Sequence, residues 1–177
     1  MTKRGLRIVF YLLTAALLIV LDQEVKRWAF DTLRVSGPMT VIPGVIGFYY
    51  AENVGAAFSM LLNQRWLFLI IGTLAALALC YVLFRFSEKK EGEKPADRII
   101  IVTCIIFILA GDFGNMIDRV KQGFVIDFIR TLFMNFPIFN IADCLIVVGC
   151  FLLIIMGLFR KSLTDLFFDK MGWNKDE

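Results

Sequence analysis

The chain has 177 residues, 59% of them hydrophobic, with a mean hydropathy of +0.74. That is well above the roughly 45–50% apolar content of soluble domains, so a bilayer is the expected solvent. Net charge is only +3 and the basic residues sit in short clusters between apolar runs, which argues against nucleic acid as a partner; the complete absence of histidine excludes Ser-His and Cys-His nucleophiles.

The first apolar run, residues 8–21, follows Lys3, Arg4 and Arg7 and has the outline of a signal peptide, but no small-x-small cleavage site follows it. It becomes long enough to cross a membrane if the helix continues past Asp22. Helical geometry allows this, because Leu21, Val25 and Trp28 share one face and Asp22 and Lys26 another, giving a span over about 8–28. The connection at about 31–63 contains two β-rich runs, Met39 to Pro43 and Gly47 to Tyr50, separated by Pro43 and Gly44, and predicts a small hairpin or sheet at the membrane surface.

Three further spans are predicted: 66–84 without a charge, 99–117 with only Asp112, and 141–159 with only Asp143. Each run of roughly 19 residues makes a helix about 28 Å long, close to the hydrocarbon thickness. The charged loop at 87–97 is expected to be a solvated connector. Cys80, Cys104, Cys144 and Cys150 lie inside apolar runs without C-x-x-C spacing and read as small hydrophobes. The expected fold is one all-α integral membrane domain over 1–177, with four transmembrane helices and a small extracytoplasmic β subdomain. Of the 19 basic residues, twelve flank the termini and the 87–97 loop and seven lie on the other side, so the positive-inside rule places both termini in the cytoplasm.

In an up-down bundle the polar residues that need explaining meet at the opposite, outer end: Asp22, Lys26, Asn53, Asp112, Asn115, Asp118, Arg119, Asp127, Asn140 and Asp143. Ionisable groups at the hydrocarbon edge cost a few kcal/mol each, which makes the cluster a functional candidate. Simpler roles are open to several of them, such as an Asp22–Lys26 ion pair or a helix cap at Asp118. Asp127 sits in an apolar segment expected to lie against the membrane, and Asp143 is the only charge in its span. Two carboxylates in one partly desolvated site cannot both ionise easily, so one holds a proton while the other acts as base, which would activate water without histidine or metal. The residues alone leave open whether Asp118 or Asp127 partners Asp143. Rival classes are a proton-coupled transporter and a non-enzymatic scaffold; the first is disfavoured by the lack of an inverted repeat and by carboxylates gathered at one face.

Five elements in order resemble the lipoprotein signal peptidase (signal peptidase II) family: Asp22-Gln-Glu-Val-Lys26, Asn53-Val-Gly-Ala-Ala-Phe58, Gly114-Asn-Met-Ile-Asp-Arg119, Val125-Ile-Asp-Phe-Ile129 and Phe139-Asn-Ile-Ala-Asp143. The resemblance implies an aspartyl endopeptidase of the bacterial cytoplasmic membrane that removes signal peptides from diacylglyceryl-modified prolipoproteins, cutting before the lipidated cysteine. It implies a dyad of Asp127 and Asp143. Asp22, Lys26, Asn53, Gly55, Asn115, Asp118, Arg119, Asn140 and Ala142 would order the site or contact substrate. It further implies an outer β-cradle followed by a short amphipathic helix, binding of the cyclic peptide globomycin, and no metal or cofactor; nothing requires more than a monomer. One departure is Asp112, where the family usually has a small residue; it would either perturb the dyad's titration or pair with Arg119.

Overall fold

The computed structural model describes residues 2–55, 64–89 and 93–173. Helix α1 (Lys3–Trp28) starts at Thr2, whose hydroxyl accepts from the Gly5 N–H at 3.1 Å. It does run past Asp22, then widens into one π-helical turn (Ala29–Leu33) and a last short turn, α2 (Arg34–Ser36), before Gly37 turns the chain with φ +82°. Helix α3 spans Arg65–Phe86 and α4 spans Pro95–Gln122. Pro95 suits the first turn of α4 because its missing N–H has no partner there anyway, and Gly123, at φ +89°, takes the left-handed position that ends it. Helix α5 is Ile141–Phe159.

Four helices are therefore long and apolar enough to cross a membrane. The protein is an all-α membrane protein carrying a small β subdomain. Among the spans α4 is central: 56% of its apolar window is buried against protein, compared with 11–17% for the other three. It packs on α1, α3 and α5, while α3 and α5 flank it with little contact between them. Outward-facing Phe10, Leu13, Leu74, Leu77, Phe151 and Ile154 are exposed, as lipid-facing side chains should be. Glycines let α5 come close to α4. A Cβ on Gly111 would lie 2.3 Å from the Ala142 carbonyl oxygen, and one on Gly149 would lie 2.9 Å from that of Cys104.

The β subdomain is a three-stranded antiparallel sheet in the order β1-β2-β3. Strands β1 (Met39–Ile42) and β2 (Ile46–Asn53) form the expected hairpin, with Gly44 at φ +72° in the turn. The third strand, β3 (Val125–Thr131), comes from the segment expected only to lie against the membrane. Its first four residues are all buried, so period-two alternation is absent and the strand does not announce itself in the sequence. β3 pairs with β2 in a register that sets Ala51 opposite Asp127 and Asn53 opposite Val125. Trp28, Phe48 and Phe128 pack edge to face over the end of α1 and tie the sheet to the bundle. The amphipathic helix expected after the hairpin falls at residues 56–63, outside the described residues.

At the end that carries both termini, the expectation of a freely solvated connector is corrected in part: Glu88, Lys89 and Lys94 are exposed, but other connector residues are enclosed. Ser87 and Asp97 are buried, as is the Glu93 side chain. An unforeseen helix, α6 (Lys161–Met171), folds back beneath the bundle and inserts Leu163 into its apolar core. Lys170 on α6 is 1% exposed and meets Glu93 at 3.0 Å, while Arg160 pairs with Asp97 at 2.7 Å. Arg7 closes the same end by donating to the Ser87 carbonyl at 2.7 Å. Glu93 and Asp97 hold α6 and its N-cap through these pairs, whereas Glu88, Lys89 and Lys94 stay exposed.

Candidate active site

The polar residues singled out in the sequence converge where α1, α4, β3 and the start of α5 meet. Lys26 is the centre of one half. It is 1% exposed, and its ammonium contacts Asp22 Oδ2 at 2.9 Å, Asp118 Oδ2 at 3.0 Å and Asn115 Oδ1 at 3.0 Å. Asp22 also accepts from the Ala142 N–H at 3.0 Å, and Asp118 from the Ile126 N–H at 3.2 Å. One buried lysine and two carboxylates thereby join α1 to α4, to the start of α5 and to β3. Asp118 does not cap its helix, since α4 runs on to Gln122. Gly114 makes the arrangement possible: a Cβ there would come within 2.6 Å of Asp22 Oδ2.

Asn140 is the centre of the other half. As the N-cap of α5 it forms a reciprocal capping box, its Oδ1 accepting from the Asp143 N–H at 3.0 Å while Asp143 Oδ2 accepts from the Asn140 N–H at 3.1 Å. Its amide also donates to Asp127 Oδ1 at 2.6 Å. Asn140 thus contacts both Asp127 and Asp143, one through its side-chain N–H and the other through its cap. The remaining oxygens are held in the same manner: Asn53 Nδ2 donates to Asp127 Oδ2 at 2.9 Å, and Asn115 Nδ2 donates to Asp143 Oδ1 at 2.8 Å.

The four aspartates therefore fall into two kinds. Asp22 and Asp118 are neutralised by an ammonium, whereas Asp127 and Asp143 accept hydrogen bonds from uncharged amides. Among the described residues neither of the latter two forms an ion pair, so an ammonium fixes the charge of the first kind but not of the second. Asp127 is 2% exposed, and its carboxyl is raised from 3.8 to about 7, first by burial and then by the negative charge of Asp143; the amides of Asn53 and Asn140 and the more distant Lys26 partly offset this.

Arg119 lies beside this pair. Its guanidinium covers the Phe68 ring at 4.7 Å and donates to the Gly55 carbonyl at 3.3 Å, while Gly55 N–H donates back to Asn53 Oδ1 at 3.0 Å. Ala142 is fully buried and contributes through its backbone. Asp112 points toward α3 instead, its Oδ2 buried without a hydrogen-bond partner among the described residues. Two contributors escaped the sequence reading. Gln23 donates to Asp118 Oδ1 at 2.9 Å and to the Gly114 carbonyl at 3.2 Å, and Phe68 carries Arg119. Gln23 lies inside the first quoted motif, so its signal was available; Phe68 is one phenylalanine among 18 and has none.

The fold and this buried cluster define a multi-pass membrane protein with a carboxylate-rich centre at one end of its bundle. Residues 14–159 match the family described as Signal peptidase (SPase) II. The chain is 38% identical over 139 residues to a protein named lipoprotein signal peptidase from Streptococcus thermophilus (strain CNRZ 1066), covering 78% of this chain and 86% of the relative. It is 36% identical over 154 residues to the protein of that name from Latilactobacillus sakei subsp. sakei (strain 23K), covering 87% and 97%. A bacterial membrane enzyme solved by the in meso method at 2.3 Å resolution superposes with a TM-score of 0.74 at 31% identity, over 96% of this chain and 94% of that one. The chain belongs to the signal peptidase II family.

Proposed function

We propose that this protein is the aspartyl endopeptidase that removes signal peptides from diacylglyceryl-modified bacterial prolipoproteins, cutting just before the lipidated cysteine, with Asp127 and Asp143 as its catalytic pair. The observation that carries the reading is the shared Asn140, which contacts both acids, neither of which forms an ion pair among the described residues. Family membership supports the substrate class, since the curated relatives are named lipoprotein signal peptidases. Asp118 is a poor candidate for the pair because the Lys26 ammonium, 3.0 Å from its Oδ2, favours its ionised form.

In this reading Asp127 carries the shared proton at neutral pH, and Asp143 takes a proton from a bound water as that water attacks the scissile carbonyl carbon. Asp127 gives its proton to the carbonyl oxygen; as the tetrahedral intermediate collapses, Asp143 passes the water's proton to the nitrogen, Asp127 takes one back from a hydroxyl, the C–N bond breaks, and the amine leaves. Asn53, Asn115 and Asn140 hold the two carboxyls in place, while Arg119 and Gly55 line the approach. The chain is a monomeric, single-domain enzyme of the bacterial cytoplasmic membrane, both termini cytoplasmic and the site at the extracytoplasmic face. The signal peptide enters sideways from the bilayer, its diacylglyceryl chains staying in lipid, and a globomycin-type cyclic peptide competes for the same place. No cofactor takes part.

The test is processing of a lipidated and an unlipidated precursor by purified protein in detergent. The wild type is expected to cut only the lipidated one. D127N and D143N are each expected to insert and fold but leave both precursors intact; cleavage retained by either variant rejects the pair.

A further inference from the structure

Asp112 has no part in the chemistry just described, yet it is a carboxyl placed well inside a membrane-spanning helix. Residues 112, 115, 116 and 119 share one face of α4. On that face Asn115 reaches Asp143 on α5, whereas Arg119 covers Phe68 on α3. Asp112 and Met116 also press on α3: a Cβ on Gly72 would lie 2.8 Å from Asp112 Oδ1 and 3.0 Å from Met116 Sδ. The face is therefore the floor of the gap between α3 and α5, two helices that flank α4 with little mutual contact. Within that floor Asp112 Oδ2 is buried and has no hydrogen-bond partner among the described residues. A buried polar atom without a partner is costly, so its retention points to a partner that arrives with the substrate.

The depth of Asp112 says which part of the substrate it would meet. It lies three residues, about 4.5 Å of rise, beyond Asn115 toward the membrane interior. An extended peptide advances about 3.3 Å per residue, so this depth corresponds to one or two residues from the bond held at Asp143. The residues deeper in the membrane are those of the signal peptide, before the cut.

We infer that Asp112 is a specificity-determining residue of this protein: it reads the signal-peptide residue one or two positions before the scissile bond and favours a side-chain hydroxyl there. The inference rests on the peptidase reading and extends it to substrate choice. A carboxyl and a hydroxyl satisfy one another in either protonation state of the acid, since each can donate or accept. A methyl in the hydroxyl's place leaves the carboxyl orphaned.

The experiment uses the full-length protein in lipid-supplemented detergent and diacylglyceryl-modified precursors carrying Thr or Val at each of the two positions. Thr and Val differ by one hydroxyl for one methyl. Wild type is expected to prefer Thr at one of the positions by about tenfold in kcat/KM, the scale of one hydrogen bond to a buried acid. D112A should bring the Thr/Val ratio near one, and D112N, which keeps a donor and an acceptor, should retain most of the preference. Each ratio is taken on a single enzyme preparation, so any misfolded fraction cancels. Equal ratios in wild type and D112A overturn the inference while leaving the peptidase reading intact. Failure of the wild type to cut any lipidated precursor sinks both.

Discussion

Replacing Lys26 by methionine tests whether the lysine-centred half of the site holds the structure together. Lys26→Met keeps the side chain's length but removes the ammonium that contacts Asp22, Asp118 and Asn115 at 2.9–3.0 Å. Two carboxylates, at 0% and 3% exposure, then lose the one cation that forms an ion pair with them among the described residues. Breaking a buried ion pair by deleting one partner costs about 3–5 kcal/mol, because the stranded charge has neither water nor counterion. For a chain of this size each kcal/mol moves Tm by about 2–4 °C, so K26M should melt roughly 6–20 °C below wild type in detergent. Adding D22N and D118N to K26M removes the stranded charges and should recover at least half of that loss. A K26M variant within about 1 °C of wild type, or a triple variant no better than K26M alone, would refute the claim that this lysine neutralises both acids.

Titration of Asp127 should show in both rate and stability. With its carboxyl raised to about 7, kcat/KM is expected to fall as pH rises through that region, when the pair loses its shared proton. Asn53 favours the ionised form through its hydrogen bond, so N53A should move this fall to higher pH; an unmoved limb would separate Asn53 from the titration. A carboxyl raised on folding binds its proton more tightly in the native state. Stability from it is complete below the unfolded value of 3.8 and is lost as pH climbs through about 7, a change of about 4 kcal/mol. Melting should accordingly show Tm declining from pH 5 to 8 in wild type and less in D127N. Gly111→Ala would drive a methyl against the Ala142 carbonyl oxygen and should cost about 1–3 kcal/mol, whereas Gly157→Ala, with open space around it, should be neutral in the same melting assay.

The spans were legible because the solvent imposes them. Lipid offers no hydrogen bonds, so each crossing needs a long apolar helix, and that requirement is visible in a hydropathy pattern. Even the first span, interrupted by Asp22 and Lys26, could be read through because the two polar residues share one helical face. Strand β3 and helix α6 were not legible. Val125 to Phe128 are buried throughout, which erases the alternation of a strand, and the charges of Glu93, Asp97 and Lys170 look like a solvated surface until partners from other helices enclose them.

The candidate site divides in the same way. Residue type and spacing by themselves determined that a histidine-free membrane protein gathers aspartates and asparagines at one end of a four-helix bundle, because the chain's own up-down path brings those helix ends together. Which aspartate does what was a matter for the tertiary structure: Asp118 and Asp127 are equally placed as carboxyls in a sequence, and only packing gives the ammonium of Lys26 to Asp118 and the amides of Asn53 and Asn140 to Asp127. The reason is that the ease with which a carboxyl takes a proton depends on the charge and water around it. Those neighbours come from stretches of chain far apart, joined here by the register that sets Ala51 against Asp127 and by the glycines that let α4 and α5 touch.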